Sequence, residues 1–278
     1  MTPDLQIALD TVDLPGALGP LQKAAPHVDI IECGTILVLC EGYHAVRAIR
    51  ALFPDKRILA DVRIAEAGSK IARLAFEAGA DLVSCVAGAS LTTIEQVCDV
   101  AAEFDGEVQV ELADEWYDAD RARAWREAGV RHVIVKRSRD REAAGDLSWK
   151  DEDMDRVDEL AAMGLTVTIT GGVSAEDLPA FAGRAVGIVI RAISAACAVG
   201  VVLAGRDAWA ARTGRAPRSA VGALRPSRTG GTGRAPRALG GPFDSIDAEP
   251  DAHARARVGV ADGVVQQVAH GRGDEGGV

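Results

Sequence analysis

The sequence predicts an α/β fold, a closed (β/α)8 barrel of the TIM type, and three observations carry that reading. Short apolar runs alternate with helix-forming stretches from residue 5 to beyond residue 190. There are eight such runs, and their continuous apolar character marks strands of a parallel sheet covered by helices. After the first run the chain reads Asp10-Thr11-Val12-Asp13, where a dinucleotide-binding sheet would carry a glycine-rich turn. Eight repeats without that turn favour closure over an open doubly wound sheet.

Taken in order, the first strand is residues 5–10, LQIALD, closed by an acid. A helix over 14–25 leads to residues 28–33, VDIIEC, which repeat the pattern with Glu32 near the end. A helix near 43–52 precedes the third strand, 57–62. The unit then recurs as helix 67–78 with strand 82–86, and helix 91–104 with strand 107–112. Helix 119–128 leads to strand 132–136, and helix 151–163 to strand 166–170. A short helix near 175–181 introduces the eighth strand, 185–191, and residues 195–204 supply the last helix. Gly79, Gly129 and Gly164 stand where helices must stop just before strands.

The core must be built from small aliphatic residues, since 48% of the chain is hydrophobic but only 4% aromatic. A net charge of -10 argues against nucleic acid as a partner of the whole chain. The five cysteines form no CxxC pair, which fits reduced thiols and a cytoplasmic setting. No apolar run reaches membrane-spanning length, and the start, MTPDLQIALD, has acids where a signal peptide would be basic.

The domain reading is a barrel over 1–205 and a tail over 206–278. Arg, Gly, Pro and Ala dominate the first part of that tail, a composition that predicts disorder. An arginine-rich arm for RNA or phosphate, and out-of-frame translation of a GC-rich gene, are the other readings of it. Residues 258–269, VGVADGVVQQVA, offer a strand pair.

A barrel places chemistry at the C-terminal ends of its strands. Those ends carry Asp10, Glu32, Asp61 with Arg63, Glu111, Lys136, Thr170-Gly171-Gly172 and Arg191. The densest of them lies in Ala60 to Ser69, ADVRIAEAGS. Strand alternation puts Asp61 and Arg63 on one side, and Glu66 falls where the chain enters the next helix. An ion pair at a strand end is the structural alternative. Glu32 and Asp61, on neighbouring strands, could share a hard divalent ion such as magnesium. The TGG turn and Ser174 open a short helix whose N–H groups suit a phosphate, joined by Arg191. A plain tight turn is the other reading of TGG.

The stretches LQIALD, VDIIECGTIL, LADVRIAEAG, FEAGADLV, VQVEL, RSRDREAAG and TVTITGGVSAEDLP resemble the 3-keto-L-gulonate 6-phosphate decarboxylases. That family stands with the hexulose-6-phosphate synthases and the orotidine monophosphate decarboxylases in one suprafamily of barrels. The resemblance runs over about residues 4–194, and RSRD followed by AAG favours the gulonate branch.

The resemblance implies a magnesium-dependent carbon–carbon lyase that decarboxylates a phosphorylated β-keto sugar acid through an enediolate. It implies that Glu32 and Asp61 bind Mg2+, that Asp10 contacts substrate hydroxyls and that Glu111 supports them. Thr170, Gly171, Gly172 and Arg191 would hold the phosphate, Arg63 would stabilise the enediolate, and Arg139 would help place the proton donor. It also implies a homodimer in which Glu66 reaches the neighbouring site. The family's Asp-x-Lys-x-x-Asp motif reads Asp61-Val62-Arg63-Ile64-Ala65-Glu66 here, and its strand-six histidine is Lys136. Ile190 stands where the family has glycine before the phosphate arginine. Arginine keeps the charge at position 63 but does not release a proton. Lys136 is therefore read as the mobile ammonium on the other side of the pocket, or else as an exposed rim lysine. The alternative functions are a hexulose-6-phosphate synthase, which releases formaldehyde, and a non-catalytic sugar-phosphate-binding barrel.

Overall fold

The computed structural model describes residues 4–112, 117–136, 149–171 and 186–193, with Gly145, Val173 and Phe181. For residues 187–193 it describes the strand alone. The chain divides into two units, Met1–Leu224 and Arg225–Val278, and every described residue lies in the first. The predicted helix at 175–181 apart from Phe181, the helix at 195–204, the boundary near 205, the tail and the strand pair at 258–269 lie outside the described residues.

Eight parallel strands close into a barrel in sequence order. They are β1 (Asp4–Leu9), β2 (Ile30–Cys33), β3 (Arg57–Ile64) and β4 (Leu82–Val86). β5 (Glu107–Leu112), β6 (His132–Lys136), β7 (Thr166–Thr170) and β8 (Val186–Ile193) complete the sheet. Closure is made by β8 against β1, in register from Asp4 opposite Ile188 to Leu9 opposite Ile193. Seven α-helices are described: α1 (Leu14–Ala24), α2 (Thr35–Glu41), α3 (Tyr43–Leu52), α4 (Gly68–Glu77), α5 (Leu91–Glu103), α6 (Ala119–Ala128) and α7 (Asp151–Ala162). Among the described residues no helix is long and apolar enough to cross a membrane.

Local signals start and stop these helices where the sequence marks them. Asp13 caps α1 by accepting from the Gly16 N–H at 2.7 Å, and Ser90 caps α5 by accepting from the Thr93 N–H at 3.1 Å. Gly79, Gly129 and Gly164 have φ of 103°, 108° and 81°, the left-handed turn that ends a helix before a strand.

Strand alternation sorts the core into two parts. Outward residues such as Ile7, Ile31, Ile58 and Val83 join the helices in one large buried cluster. Inside the barrel, Ala8, Ile30, Leu59 and Leu82 form a separate apolar plug. Two residues further along three of those strands, on the same inward face, stand Glu32, Asp61 and Ser84, all buried. The interior thus turns from apolar to polar towards the C-terminal mouth, the end where the site lies.

Two elements differ from expectation. Helix α2 follows Gly34 directly, and its sequence TILVLCE hides the helical period because four apolar residues run together. Only Leu37 of them is buried, whereas Leu39 is 76% exposed. Strand β3 runs two residues past the predicted end at 62, to Ile64, and does so through an irregularity that shapes the site.

Candidate active site

The ladder between β3 and β4 pairs Leu59 with Leu82 and Ala60 with Val83, then skips to Ile64 with Cys85. Asp61, Val62 and Arg63 therefore face a single residue, Ser84. Arg63 takes a left-handed backbone with φ of 47°, and Ala67, at the start of α4, another with φ of 53°. Such a conformation costs a residue with a side chain about 1–2 kcal/mol, and strain of this kind collects at functional sites. Asp61 and Arg63 do meet, with Arg63 Nε 3.5 Å from Asp61 Oδ2. The bulge brings them together, which corrects the simple alternation expected of an unbroken strand.

Asp61 is held on both oxygens. Ser84 Oγ donates to its Oδ1 at 2.7 Å, and Thr35 Oγ1, at the start of α2, donates to its Oδ2 at 2.5 Å. Glu32 is buried and accepts from Gln6 Nε2 at 2.6 Å. Across the mouth, Glu111 joins two cations: Oε2 lies 3.3 Å from Arg63 Nη2, and Oε1 accepts from Lys136 Nζ at 2.6 Å. The Lys136 side chain is only 18% exposed, which corrects the reading of an exposed rim lysine. Asp61, Arg63, Glu111 and Lys136 thus form one alternating chain of charge.

Burial pushes the Glu32 carboxyl well above its usual range, and the nearby Asp61, Asp10 and Glu111 push it further, against the Gln6 hydrogen bond. Burial works against the Arg63 charge, yet Glu111 and Asp61 outweigh it and raise the guanidinium above its ordinary value. Arg63 is a permanent cation here.

Asp10 stands just past β1, where Gly34 makes room for it. A Cβ on Gly34 would fall 2.4 Å from Asp10 Oδ1 and 2.7 Å from the Leu9 carbonyl. Gly34→Ala is expected to lower stability by about 1–3 kcal/mol, read by urea unfolding, because the backbone contact cannot swing away.

Of the other predicted residues, Thr170 ends β7 opposite Lys136, and Gly171 follows with φ of 95°. Glu66 is exposed and has no hydrogen bond or ion pair among the described residues. Arg191 lies in β8 opposite Ile7, but its side chain, together with Gly172 and Arg139, lies outside the described residues. The structure therefore brings together Glu32, Asp61, Arg63, Glu111 and Lys136, with Asp10 close enough to act on Glu32. Sequence reasoning missed Gln6, Thr35 and Ser84. Gln6 and Ser84 are single polar residues inside the apolar runs DLQIAL and LVSCV, a signal that could have found them.

Among the described residues no group of three or more His, Cys, Asp or Glu is arranged to hold a metal. Magnesium asks for less: one or two carboxylates, with water and substrate oxygens completing the shell. The donors here are all oxygens, and after burial it is the neighbouring carboxylates, Asp61 first, that raise Glu32, a repulsion that a divalent cation would relieve. The pair Glu32 and Asp61 fits such an ion.

Residues 3–201 match the Orotidine 5'-phosphate decarboxylase / HUMPS family. The chain belongs to that family. Within it, the chain is 43% identical over 205 residues to 3-keto-L-gulonate-6-phosphate decarboxylase UlaD of Escherichia coli (strain UMN026 / ExPEC), covering 74% of this chain and 94% of the relative. A solved 3-keto-L-gulonate-6-phosphate decarboxylase from Vibrio cholerae superposes with a TM-score of 0.70 at 36% identity, covering 75% of this chain and 98% of that one. A 3-hexulose-6-phosphate synthase from Salmonella typhimurium reaches 0.68 at 29% identity, covering 76% and 99%. The decarboxylase relatives place this family member among the carboxy-lyases, and the match ends short of the Arg-rich residues after 205.

Proposed function

We propose that this family member is a magnesium-dependent carboxy-lyase that decarboxylates a β-keto sugar acid phosphate of the 3-keto-L-gulonate 6-phosphate type. The observation that carries the reading is the interlocked chain from Asp61 through Arg63 and Glu111 to Lys136. Loss of carbon dioxide from a β-keto acid leaves an electron pair that spreads onto the neighbouring oxygen. Stabilising that charge by fixed cations in a partly dry site is the largest effect open to such an enzyme. Arg63 supplies the fixed cation, steered by Asp61 on one side and Glu111 on the other. Glu32 and Asp61 would hold the magnesium ion, whose contribution is Lewis-acid stabilisation of oxyanion charge.

Asp10 orients substrate hydroxyls, and Thr170, Gly171, Gly172 and Arg191 form the phosphate end of the pocket. Arg139 helps place the proton donor, and Lys136 Nζ delivers the proton to the carbon that lost carbon dioxide. Glu66, exposed and without an ion pair among the described residues, suits a role in a neighbouring protomer's site, in a homodimer working in the cytoplasm. The catalytic domain runs to about residue 205, and the Arg-, Gly-, Pro- and Ala-rich residues beyond it take no part in the chemistry.

The test follows carbon dioxide released from 3-keto-L-gulonate 6-phosphate with magnesium and with EDTA. Magnesium-stimulated release is expected. The synthase relatives favour formaldehyde release from a hexulose 6-phosphate as the second outcome. Binding with neither product would mark a non-catalytic sugar-phosphate binder.

A further inference from the structure

Resting on the reading just given, we propose that Ser84 is a positioning residue whose single hydroxyl couples Asp61 to Arg63. The hydroxyl sits opposite the bulge, fully buried, in the one β4 position that faces three residues of β3. It accepts from the Arg63 N–H at 2.9 Å and donates to Asp61 Oδ1 at 2.7 Å. The direction is fixed by chemistry. A backbone N–H can only donate, so the one hydroxyl proton is left for the carboxylate.

This arrangement answers two needs at once. The bulge takes Arg63 out of the ladder, and Ser84 gives its N–H an acceptor where the sheet supplies none. That bond anchors Arg63 in its left-handed conformation, which decides where the guanidinium leaves the chain. The same oxygen fixes one carboxylate oxygen of Asp61, while Thr35 holds the other. A buried hydroxyl without such partners would destabilise the barrel interior. Ser84 touches neither substrate nor metal in this account. It sets the position of the groups that do.

The deciding comparison is Ser84→Thr against Ser84→Val, two side chains of one shape that differ in the hydroxyl. Two measurements on the full chain are needed: Mn2+ binding without substrate, by the electron paramagnetic resonance of the free ion, and steady-state carbon dioxide release. Ser84→Val is expected to weaken Mn2+ binding and lower kcat, each by roughly 10–100-fold, as removing an outer hydrogen bond to a metal ligand does. KM should move less, because Ser84 does not bind substrate. Ser84→Thr should keep both properties. Equal behaviour of the two variants, whether both intact or both impaired, overturns the proposal, since the hydroxyl then makes no difference. If the valine chain does not fold, Ser84→Cys, similar in size with a weak donor, is compared with the unaltered chain under the same criteria. Failure of the unaltered chain to bind Mn2+ and release carbon dioxide would instead sink the magnesium reading, and Ser84 with it.

Discussion

Lys136→Ala is expected to lower kcat for decarboxylation by roughly 10²–10⁴, the contribution a positioned general acid makes, with KM moving far less. The electron pair left by carbon dioxide must be protonated, and among the described residues two cations, Arg63 and Lys136, stand at the mouth of the barrel. Arg63 is excluded as the donor because Glu111 and Asp61 outweigh its burial and strengthen its hold on the proton. Lys136 is an ammonium on a flexible stem, drawn towards the same carboxylate at 2.6 Å. Once it has given up its proton it can be recharged from water. The nearby hydroxyls of Ser84 and Thr35 are already committed to Asp61.

The variants separate charge from proton transfer. Lys136→Arg keeps the cation beside Glu111 but holds its protons too tightly to act as the acid, so it should fail nearly as badly as alanine. Lys136→His retains a donor and should recover part of the rate. Carbon dioxide release is measured alongside deuterium incorporation at the product carbon in heavy water. Full turnover by Lys136→Arg would reduce Lys136 to an electrostatic role, and full turnover by Lys136→Ala would remove it from the mechanism.

The barrel was legible because each strand is a continuous apolar run and each helix stops at a readable signal, as Gly79, Gly129 and Gly164 do. The charged mouth was legible because acids and cations at the ends of such runs have few structural uses. Helix α2 was not, since TILVLCE has no apolar period and Leu37 is its one buried residue. The bulge was not legible either. Nothing in Asp61-Val62-Arg63 announces a left-handed arginine, a conformation that sequence signals assign to glycine or asparagine. Its stability comes from Ser84, which is distant in sequence and supplied by the neighbouring strand. The partners of the charged groups are long-range facts of this kind: Gln6 with Glu32, Thr35 with Asp61, Lys136 with Glu111. Sequence patterns locate charges on a rim, while the pairing among them is decided by the closed sheet.

Glu32→Gln is expected to make the metal-free protein more stable at neutral pH, and magnesium is expected to reverse that order. Burial and the surrounding acids raise the Glu32 carboxyl, so the folded state keeps a proton that the unfolded chain releases at about pH 4.3. The stability tied to that proton is complete below the unfolded value and is lost as pH rises through the folded one. Wild type and Glu32→Gln should therefore melt together near pH 4 and separate as the pH rises. At neutral pH the glutamine chain is the more stable, since it needs neither to take up a proton on folding nor to bury a charge among other acids. Gln6 still finds an amide oxygen at position 32 to accept its N–H, so the comparison isolates the charge. A divalent ion binding only the folded wild type adds about 2.7 kcal/mol at a hundredfold excess over its Kd. Glu32→Gln, having lost one of the two carboxylates, should show little of that gain and little decarboxylation. Thermal melts from pH 4 to 8, in EDTA and in magnesium, read both halves of the expectation. Equal magnesium shifts in the two chains would remove Glu32 from the metal site, and parallel pH profiles would mean that its proton is not linked to folding.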